Sequence, residues 1–174
     1  AIHQNIHLIE DFEPEVVAVF GADHIYRMDI KQMVKFHQRN NAIATVAAIP
    51  VPLDEASEFG VLQVDENWRI IGFQEKPKDP TPMPTDPTMA LVSMGNYTFN
   101  KAELCRLLRE DAENTSSSHD FGKDILPPLV ETGRLMAYNF HENTIPGDNS
   151  GEPYWRDVGT LKAFFEANMD LRLP

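Results

Sequence analysis

The chain has 174 residues, of which 42% are apolar and 24% are charged, a composition typical of a folded globular domain and unlike a disordered or fibrous chain. Fifteen basic residues against 27 acidic ones give a net charge of −12, which argues against a nucleic-acid partner because phosphates would be repelled. The single cysteine, Cys105, can form no internal disulfide, so we expect a reducing, cytoplasmic setting. No apolar run reaches the ~18 residues of a membrane span, and residues 1–15 lack the features of a signal peptide.

The first half of the chain alternates strand and helix patterns. It has no initiating methionine and opens inside an apolar helical pattern over residues 2–9, so we expect it to be truncated at its front. Residues 16–20 form a continuous apolar run, which predicts a strand buried on both faces in a parallel sheet. Asp29 is placed to cap the following helix, and residues 42–49 predict the next strand.

The second half adds a hairpin and further helices. Residues 60–64 and 68–75, joined by a polar turn, predict an antiparallel hairpin. The proline-rich stretch 77–87 predicts a surface loop, either an active-site flap or a stiff connector. The remaining predictions are a strand at 90–99, a helix from Leu104, a short helix ending near Gly133, a strand at 135–140, a polar loop at 141–153, and a last helix capped by Thr160 that buries Leu161, Phe164, Phe165 and Met169.

This order of elements indicates the fold class. Strand, helix and strand in succession imply a crossover connection and a sheet covered by helices on both faces. We therefore predict an α/β fold with a mixed, mainly parallel sheet.

Several enzyme classes are excluded by motifs that the chain lacks. No two glycines are closer than Gly147 and Gly151, so neither a G-x-G-x-x-G loop nor a Walker loop can be present. The histidines have no H-E-x-x-H spacing for zinc, and no serine lies in a G-x-S-x-G elbow. A dinucleotide oxidoreductase, a zinc hydrolase and a serine hydrolase are therefore disfavoured.

Carboxylates at strand ends remain as candidates for chemistry. Asp23 follows the strand at 16–20, at the edge of the sheet where open α/β folds bind ligands. Asp157 precedes the last helix, and the two groups could share one Mg²⁺, which takes one or two protein carboxylates and leaves its other positions to water and phosphates. The competing interpretations are that Asp23 only forms a turn and that Asp157 only pairs with Arg156.

Other candidates lie on the hairpin and on the strand after it. Glu75 and Lys76 close the hairpin strand, where the lysine could meet a phosphate or simply be solvated. Ser93, Gly95 and Tyr97 alternate and so face one side, with a small residue between two hydroxyls. That pattern fits close approach either of a ligand or of a neighbouring helix.

Six segments resemble, in order, those of the glucose-1-phosphate adenylyltransferase family, also called ADP-glucose pyrophosphorylases. They are residues 21–26 (GADHIY), 55–60 (EASEFG), 73–77 (FQEKP), 93–97 (SMGNY), 118–124 (SHDFGKD) and 154–160 (YWRDVGT). The resemblance implies a Rossmann-like, GT-A-like nucleotidyltransferase fold that lacks its first βα units. It also implies the reaction of ATP with α-D-glucose 1-phosphate to give ADP-glucose and pyrophosphate, in glycogen or starch biosynthesis.

The same resemblance assigns roles to individual residues. It implies that Asp23 and Asp157 hold Mg²⁺ and that Lys76 binds the sugar phosphate. Contacts with the glucosyl part are implied for Gly60, Glu75 and Ser93. Asp120 lies in a motif near the sugar.

The chain also departs from the family, and the departures define the alternatives. The Gly-rich loop that holds the ATP phosphates and the C-terminal β-helix domain of the family are both missing, so residues 1–174 are expected to be a partial catalytic domain, inactive by itself. The full-length enzyme would be a homo- or hetero-tetramer, in the cytoplasm or, in a plant, the plastid. The alternatives are a non-catalytic sugar-phosphate-binding or regulatory module and a related sugar-1-phosphate nucleotidyltransferase.

Overall fold

The computed structural model describes residues 1–147 and 153–172. The helices are α1 (Ile6–Phe12), α2 (Ile30–Arg39), α3 (Lys101–Glu113) and α4 (Leu161–Asp170). The strands are β1 (Val16–Val19), β2 (His24–Arg27), β3 (Ala44–Pro52), β4 (Gly60–Val64), β5 (Ile70–Glu75), β6 (Met89–Asn100), β7 (Leu135–Asn139) and β8 (Tyr154–Asp157). Short 3₁₀ turns occur at His3–Asn5, Ala56–Glu58, Pro127–Thr132 and Phe140–Glu142, and one π-helical turn at Phe121–Ile125.

The central sheet is mixed and has the strand order β5-β4-β6-β3-β7. The long strand β6 pairs with β3 along one edge, while β4 and β1 share its other edge at opposite ends. Because β1, β3 and β4 are each antiparallel to β6 and β7 is parallel to β3, these four strands run in one direction. The predicted α/β class with a mixed sheet is confirmed, although β3 and β7 are the one parallel neighbour pair among the described strands.

Strand β1 differs from its prediction in two respects. Its four residues pair antiparallel with Tyr97–Asn100 of β6, and they are only partly buried. The apolar run at 16–20 was a sound indication of a strand, but such a run does not fix strand direction. Among the described residues no strand lies along the outer edge of β1, which leaves part of its apolar surface accessible.

Helices cover both faces of the sheet, as predicted. Along β3, Ala44, Val46 and Ala48 belong to the core cluster that contains the apolar residues of α3, whereas Ala47 packs with Met33 of α2. This alternation places α3 and α2 on opposite faces, since successive strand side chains point to opposite sides. The carboxylate of Asp29 caps α2 by accepting from the backbone N–H of Lys31 at 3.0 Å, as the sequence predicted.

The hairpin and the proline-rich loop after it form one surface unit. β4 and β5 are antiparallel, as predicted, and Thr81 of the loop donates to Gln74 Oε1 at 2.8 Å and accepts from Gln63 Nε2 at 3.0 Å. The loop therefore packs along the hairpin. This arrangement favours the stiff connector over the active-site flap.

A second, two-stranded sheet is formed by β2 and β8, and α4 follows it. Thr160 caps α4 by accepting from the N–H of Ala163 at 3.1 Å, as predicted. The predicted buried face of α4 is wrong: the side chains of Leu161, Phe164 and Phe165 are 91%, 55% and 60% exposed. Helix α4 contacts β8 through the side that carries the buried Ala167. No described element covers Leu161, Phe164 and Phe165.

The remaining elements agree with the sequence in most details. Gly133 ends the short helix with a left-handed φ of 63°, as predicted. The polar loop at 141–153 begins with the turn Phe140–Glu142, and its residues 148–152 lie outside the described part of the chain. None of the described helices is long and apolar enough to cross a membrane.

Candidate functional site

One cavity, of about 410 Å³, gathers every site residue that the sequence indicated. It lies between the central sheet, the β2–β8 sheet and residues 119–122, which follow α3 in the chain. The predicted residues in its wall are Asp23, Gly60, Glu75, Lys76, Ser93, Asp120 and Asp157. Of the proline-rich loop at 77–87, none of the residues lines it.

Two carboxylates face each other because β2 and β8 pair in an antiparallel ladder. His24 lies directly opposite Asp157, and the carbonyl of Asp23 accepts from the N–H of Val158 at 3.2 Å. The ligand atoms of Asp23, His24 and Asp157 all lie within 4.8 Å of one another. The pairing of the two strands thus creates the convergence that the sequence could only suggest.

The alternative roles for these aspartates can be compared with the contacts. Arg156 does not pair with its neighbour Asp157 but with Asp170 at 3.2 Å, and its guanidinium lies over the Tyr154 ring. Asp157 instead accepts from the N–H of Gly159 at 2.8 Å. Asp23 does lie in a turn, yet 68% of its side chain is exposed toward solvent and available to a ligand.

The residues present fit a magnesium ion. Oxygen donors suit Mg²⁺, which usually binds one or two carboxylates and keeps several waters. Asp23 and Asp157 supply such donors at the mouth of an open cavity that contains Lys76. The two carboxylates would therefore accept a cation that is also coordinated by a phosphate.

His24 is a residue of the cavity that the sequence reasoning did not single out. Its Nε2 is 3.8 Å from Asp23 Oδ1, and its ring packs edge-on against Trp155 with centroids 5.5 Å apart. Its Nδ1 is buried without a hydrogen-bond partner.

Glu75 lies in a cradle that is formed by two glycines. A Cβ on Gly122 would lie 2.6 Å from Glu75 Oε2, and a Cβ on Gly60 would lie 3.1 Å from the same oxygen. Burial raises the pKa of the Glu75 carboxyl, and the nearby Asp120 carboxylate raises it further, while Lys76 acts against them. The carboxylate is thus closely packed and partly buried, which suits an acceptor of ligand hydroxyls.

The strand β6 contributes hydroxyls to the floor of the cavity. Ser93 and Tyr97 both line it, as their alternation predicted, and Ser93 Oγ accepts from the N–H of Gly95 at 3.2 Å. Burial raises the pKa of Tyr97 to about 12, so its hydroxyl stays protonated at any physiological pH. Phe121 stacks on the Tyr97 ring with centroids 5.3 Å apart, which fixes the position of that hydroxyl.

Lys76 ends β5 in an unusual backbone conformation. Its φ is +45°, and its N–H donates to the carbonyl of Phe59 at 3.1 Å. A left-handed φ at a non-glycine residue is uncommon and often marks a functional position. Here it turns the chain at the cavity wall, where Lys76 is the one Lys or Arg among the lining residues.

Asp120 is held by the segment that follows it. Its Oδ1 accepts from the N–H of Lys123 at 3.0 Å, and its own N–H donates to Asp124 Oδ2 at 3.0 Å. A Cβ on Gly122 would lie 3.3 Å from Asp120 Oδ1 and 2.6 Å from Glu75 Oε2. The Asp120 carboxylate is therefore fixed beside Gly122 and near Glu75.

Other cavity residues were missed by the sequence reasoning. They are Glu58, Phe59, Phe73, His119, Gly122 and Trp155. All six lie within the segments that carry the family resemblance, and that position was the available signal. Composition and periodicity alone contain no indication that these residues meet.

Comparisons with known proteins identify the family of the chain. A family model described as "Nucleotidyl transferase" matches residues 1–173. Similar curated proteins include glucose-1-phosphate adenylyltransferases of Thermus thermophilus (55% identical over 172 residues) and Photobacterium profundum (57% over 172), and glucose-1-phosphate adenylyltransferase 1 of Vibrio cholerae (51% over 171). Each alignment covers 98% of this chain, and the chain spans 42% of the length of these relatives. The chain belongs to the nucleotidyl transferase family.

Proposed function

We propose that the protein carrying this chain transfers the adenylyl group of ATP to α-D-glucose 1-phosphate, which releases pyrophosphate and forms ADP-glucose. The observation that carries the proposal is the meeting of Asp23, Asp157 and Lys76 with the hydroxyl-binding residues in one cavity. The names of the similar proteins from Thermus and Photobacterium support the same substrates.

Residues 1–174 would supply the sugar-phosphate and metal half of a catalytic domain. The chain contains no Gly-rich phosphate loop, and the relatives are more than twice as long as the matched part. We therefore place the binding of the ATP phosphates in another part of the protein.

The sugar would be bound by groups that distinguish hydroxyls by position. Glu75 and Asp120 offer fixed carboxylate oxygens, and Ser93 offers a hydroxyl on the floor of the cavity. Gly60 allows the Phe73 ring and the Glu75 carboxylate to approach the strand closely, because a Cβ there would lie 2.8 Å from Phe73 and 3.1 Å from Glu75 Oε2. Together these contacts would fix the orientation of the sugar in the cavity.

The charged residues would act on the phosphates. Lys76 offsets the repulsion between two anionic substrates and holds the sugar phosphate in position for in-line attack. Asp23 and Asp157 would hold Mg²⁺, which when bound neutralises charge at the phosphates and acts as a Lewis acid. No side chain needs to become covalently attached, since such transfers depend on positioning and electrostatic stabilisation.

The test is pyrophosphate release by the native polypeptide that contains these residues, with ATP and glucose 1-phosphate as substrates. The matched variants are Lys76→Asn, in which Asn tolerates the left-handed backbone, and Lys78→Asn, since Lys78 lies two residues away and lines a different cavity. We expect Lys76→Asn to raise KM for glucose 1-phosphate strongly and Lys78→Asn to leave it unchanged.

The same assay separates the alternatives. Tight binding of glucose 1-phosphate without turnover would indicate a non-catalytic or regulatory module. A preference for another nucleotide or another sugar 1-phosphate would indicate a related sugar nucleotidyltransferase. Intact-mass measurement on the native polypeptide then decides how much chain accompanies these residues, since a mass well above 19.7 kDa is expected for an active enzyme.

The setting of the enzyme follows from the proposed reaction. ADP-glucose is a glucosyl donor, so the reaction would feed glycogen or starch biosynthesis in the cytoplasm or, in a plant, the plastid. We also propose that the complete enzyme is a homo- or hetero-tetramer, which sedimentation of the native polypeptide would test.

A further inference from the structure

A histidine outside the proposed machinery lies at the rim of the cavity. His119 is the residue before Asp120, and its side chain is 59% exposed. It also borders a second cavity that lies against α3 and the first residues of the chain. The resemblance to the adenylyltransferases assigned it no role.

His119 is held in place by a buried carboxylate. Its Nδ1 is 2.7 Å from Asp111 Oδ2, and the Asp111 side chain is only 11% exposed. A carboxylate accepts hydrogen bonds, so Nδ1 carries the proton that it donates to Asp111. The ring nitrogen left for a ligand is therefore Nε2.

A serine completes this arrangement. Ser117 Oγ donates to the other Asp111 oxygen at 2.5 Å and accepts from the N–H of His119 at 2.9 Å. His119 has a left-handed φ of +58°, a strained conformation for a residue with a side chain. His119 is held in this conformation by two hydrogen bonds, one from its backbone N–H to Ser117 and one between its ring and Asp111.

The neighbouring part of the segment is braced as well. Ser118 Oγ donates to Asp124 Oδ2 at 2.7 Å, and the same oxygen accepts from the N–H of Asp120. His119 thus lies between two self-contained hydrogen-bond networks, one tied to α3 and one to the turn at 121–125. Such fixing of an exposed imidazole at the mouth of a site is expected where its orientation matters to a ligand.

We propose that His119 binds a hydroxyl of the sugar through Nε2 and that Asp111 is the positioning residue that directs it. The inference rests on the proposed function, since it assigns a further contact to the sugar-phosphate substrate. It makes His119 a determinant of which sugar 1-phosphate the site accepts.

A hydroxyl suits this position better than a phosphate does. A hydroxyl both donates and accepts, so it can hydrogen-bond Nε2 whether or not that nitrogen carries a proton. The Asp111 carboxylate contacts the ring, and those of Asp120 and Glu75 line the same cavity as His119, so this part of the site disfavours an anion. Lys76 is the cation of this cavity and is the better partner for phosphate.

The experiment measures KM, kcat and binding of glucose 1-phosphate and of its monodeoxy analogues with the native polypeptide. His119→Asn keeps a residue that tolerates the left-handed backbone but removes Nε2. Asp111→Ala frees the ring, whereas Asp111→Asn retains an oxygen that accepts from Nδ1. Glu110→Gln is the matched control, because Glu110 is exposed on the same helix and pairs with Arg106.

We expect His119→Asn to raise KM for glucose 1-phosphate roughly tenfold, which corresponds to one hydrogen bond of ordinary strength, with little change in kcat. The loss should vanish with the single deoxy analogue that lacks the partner hydroxyl. Asp111→Ala should reproduce much of the loss, and Asp111→Asn and Glu110→Gln should restore or retain binding.

An equal loss with every analogue, or an unchanged KM, would overturn the role of His119. An effect of His119→Asn without any effect of Asp111→Ala would overturn the positioning role. Failure of the proposed function has a different signature, since the unaltered protein would then neither turn over glucose 1-phosphate nor bind it in a manner sensitive to Lys76→Asn.

Discussion

The contact between Gly122 and Glu75 allows the proposed sugar site to be perturbed without disturbing the core. A methyl group on Gly122 would lie 2.6 Å from Glu75 Oε2 and 3.3 Å from Asp120 Oδ1. The backbone of Gly122 has no positive φ, so Gly122→Ala introduces no left-handed strain. The clash falls almost entirely on the carboxylate that we expect to accept sugar hydroxyls.

The size of the effect can be worked from the overlap. A carbon–oxygen contact normally needs about 3.3 Å, so the Glu75 carboxylate must move by roughly 0.7 Å. A hydrogen bond to a charged group contributes about 1.5–3 kcal/mol, and each 1.4 kcal/mol is a factor of ten. We therefore expect Gly122→Ala to raise KM for glucose 1-phosphate by about 10- to 100-fold.

The assay compares two glycine substitutions that create similar overlaps. Gly72→Ala is the control, because its Cβ would lie 2.8 Å from Gln63 Oε1, and Gly72 lies outside the cavity. Steady-state kinetics and calorimetric binding of glucose 1-phosphate should separate the two variants, while thermal unfolding checks that both remain folded. An unchanged KM in folded Gly122→Ala, or an equal increase in Gly72→Ala, would refute the role given to Glu75.

Three further outcomes follow from the structure. Asp157→Asn should lower kcat of the native polypeptide at least roughly a hundredfold, or about 2.7 kcal/mol, and near-normal turnover would remove Asp157 from the mechanism. The isolated 174-residue chain should self-associate through the uncovered edge of β1, so sedimentation should depend on concentration and Ala18→Lys should reduce the association; a monomer at all concentrations contradicts this. Burial lowers the pKa of His37 below its usual 6.5, so the unfolded chain binds a proton first, and the free energy of unfolding should fall as pH drops through 6.5 toward the folded-state pKa. Urea unfolding at several pH values should show this slope in the unaltered chain and a smaller one in His37→Gln.

Local features of the fold could be predicted because neighbouring residues determine them. Asp29 and Thr160 cap their helices through N–H groups two and three residues away, and Gly133 ends its helix in the left-handed region. The same holds for the hairpin, since its turn and its two apolar runs are adjacent in the chain. These interactions need no knowledge of the tertiary structure.

Strand direction and helix coverage depend on distant parts of the chain. The pairing of Val16 with Asn100 determines the direction of β1, and nothing within residues 16–20 records that partner. The apolar residues of α4 were predicted to be buried because helical periodicity normally indicates a face that packs. Periodicity reports which residues share a face, but Leu161 and Phe165 are exposed because no described element lies against them.

The candidate site shows the same division between local and distant information. Carboxylates at strand ends pointed to Asp23 and Asp157, and the family resemblance supplied the remaining roles. The β2–β8 ladder, which places His24 opposite Asp157, joins residues from the two ends of the chain. His24 and His119 lie within segments that carry the family resemblance, but only the tertiary structure shows that they line the same cavity.

Gly95 explains how the two sheets come together around one cavity. The sequence left open whether a ligand or a helix approaches this small residue between Ser93 and Tyr97. In the structure the neighbour is His24 of the second sheet, whose Cε1 would lie 2.7 Å from a Cβ on Gly95. Gly95 also has a φ of +71° and lies in an irregular stretch of β6. Between the pairs Val46–Tyr97 and Ala48–Ser93, β6 spans four residues while β3 spans two. The bend and the missing side chain together let the β2–β8 sheet lie against the central sheet, and this contact brings Asp23 and Asp157 to the residues that we propose bind the sugar.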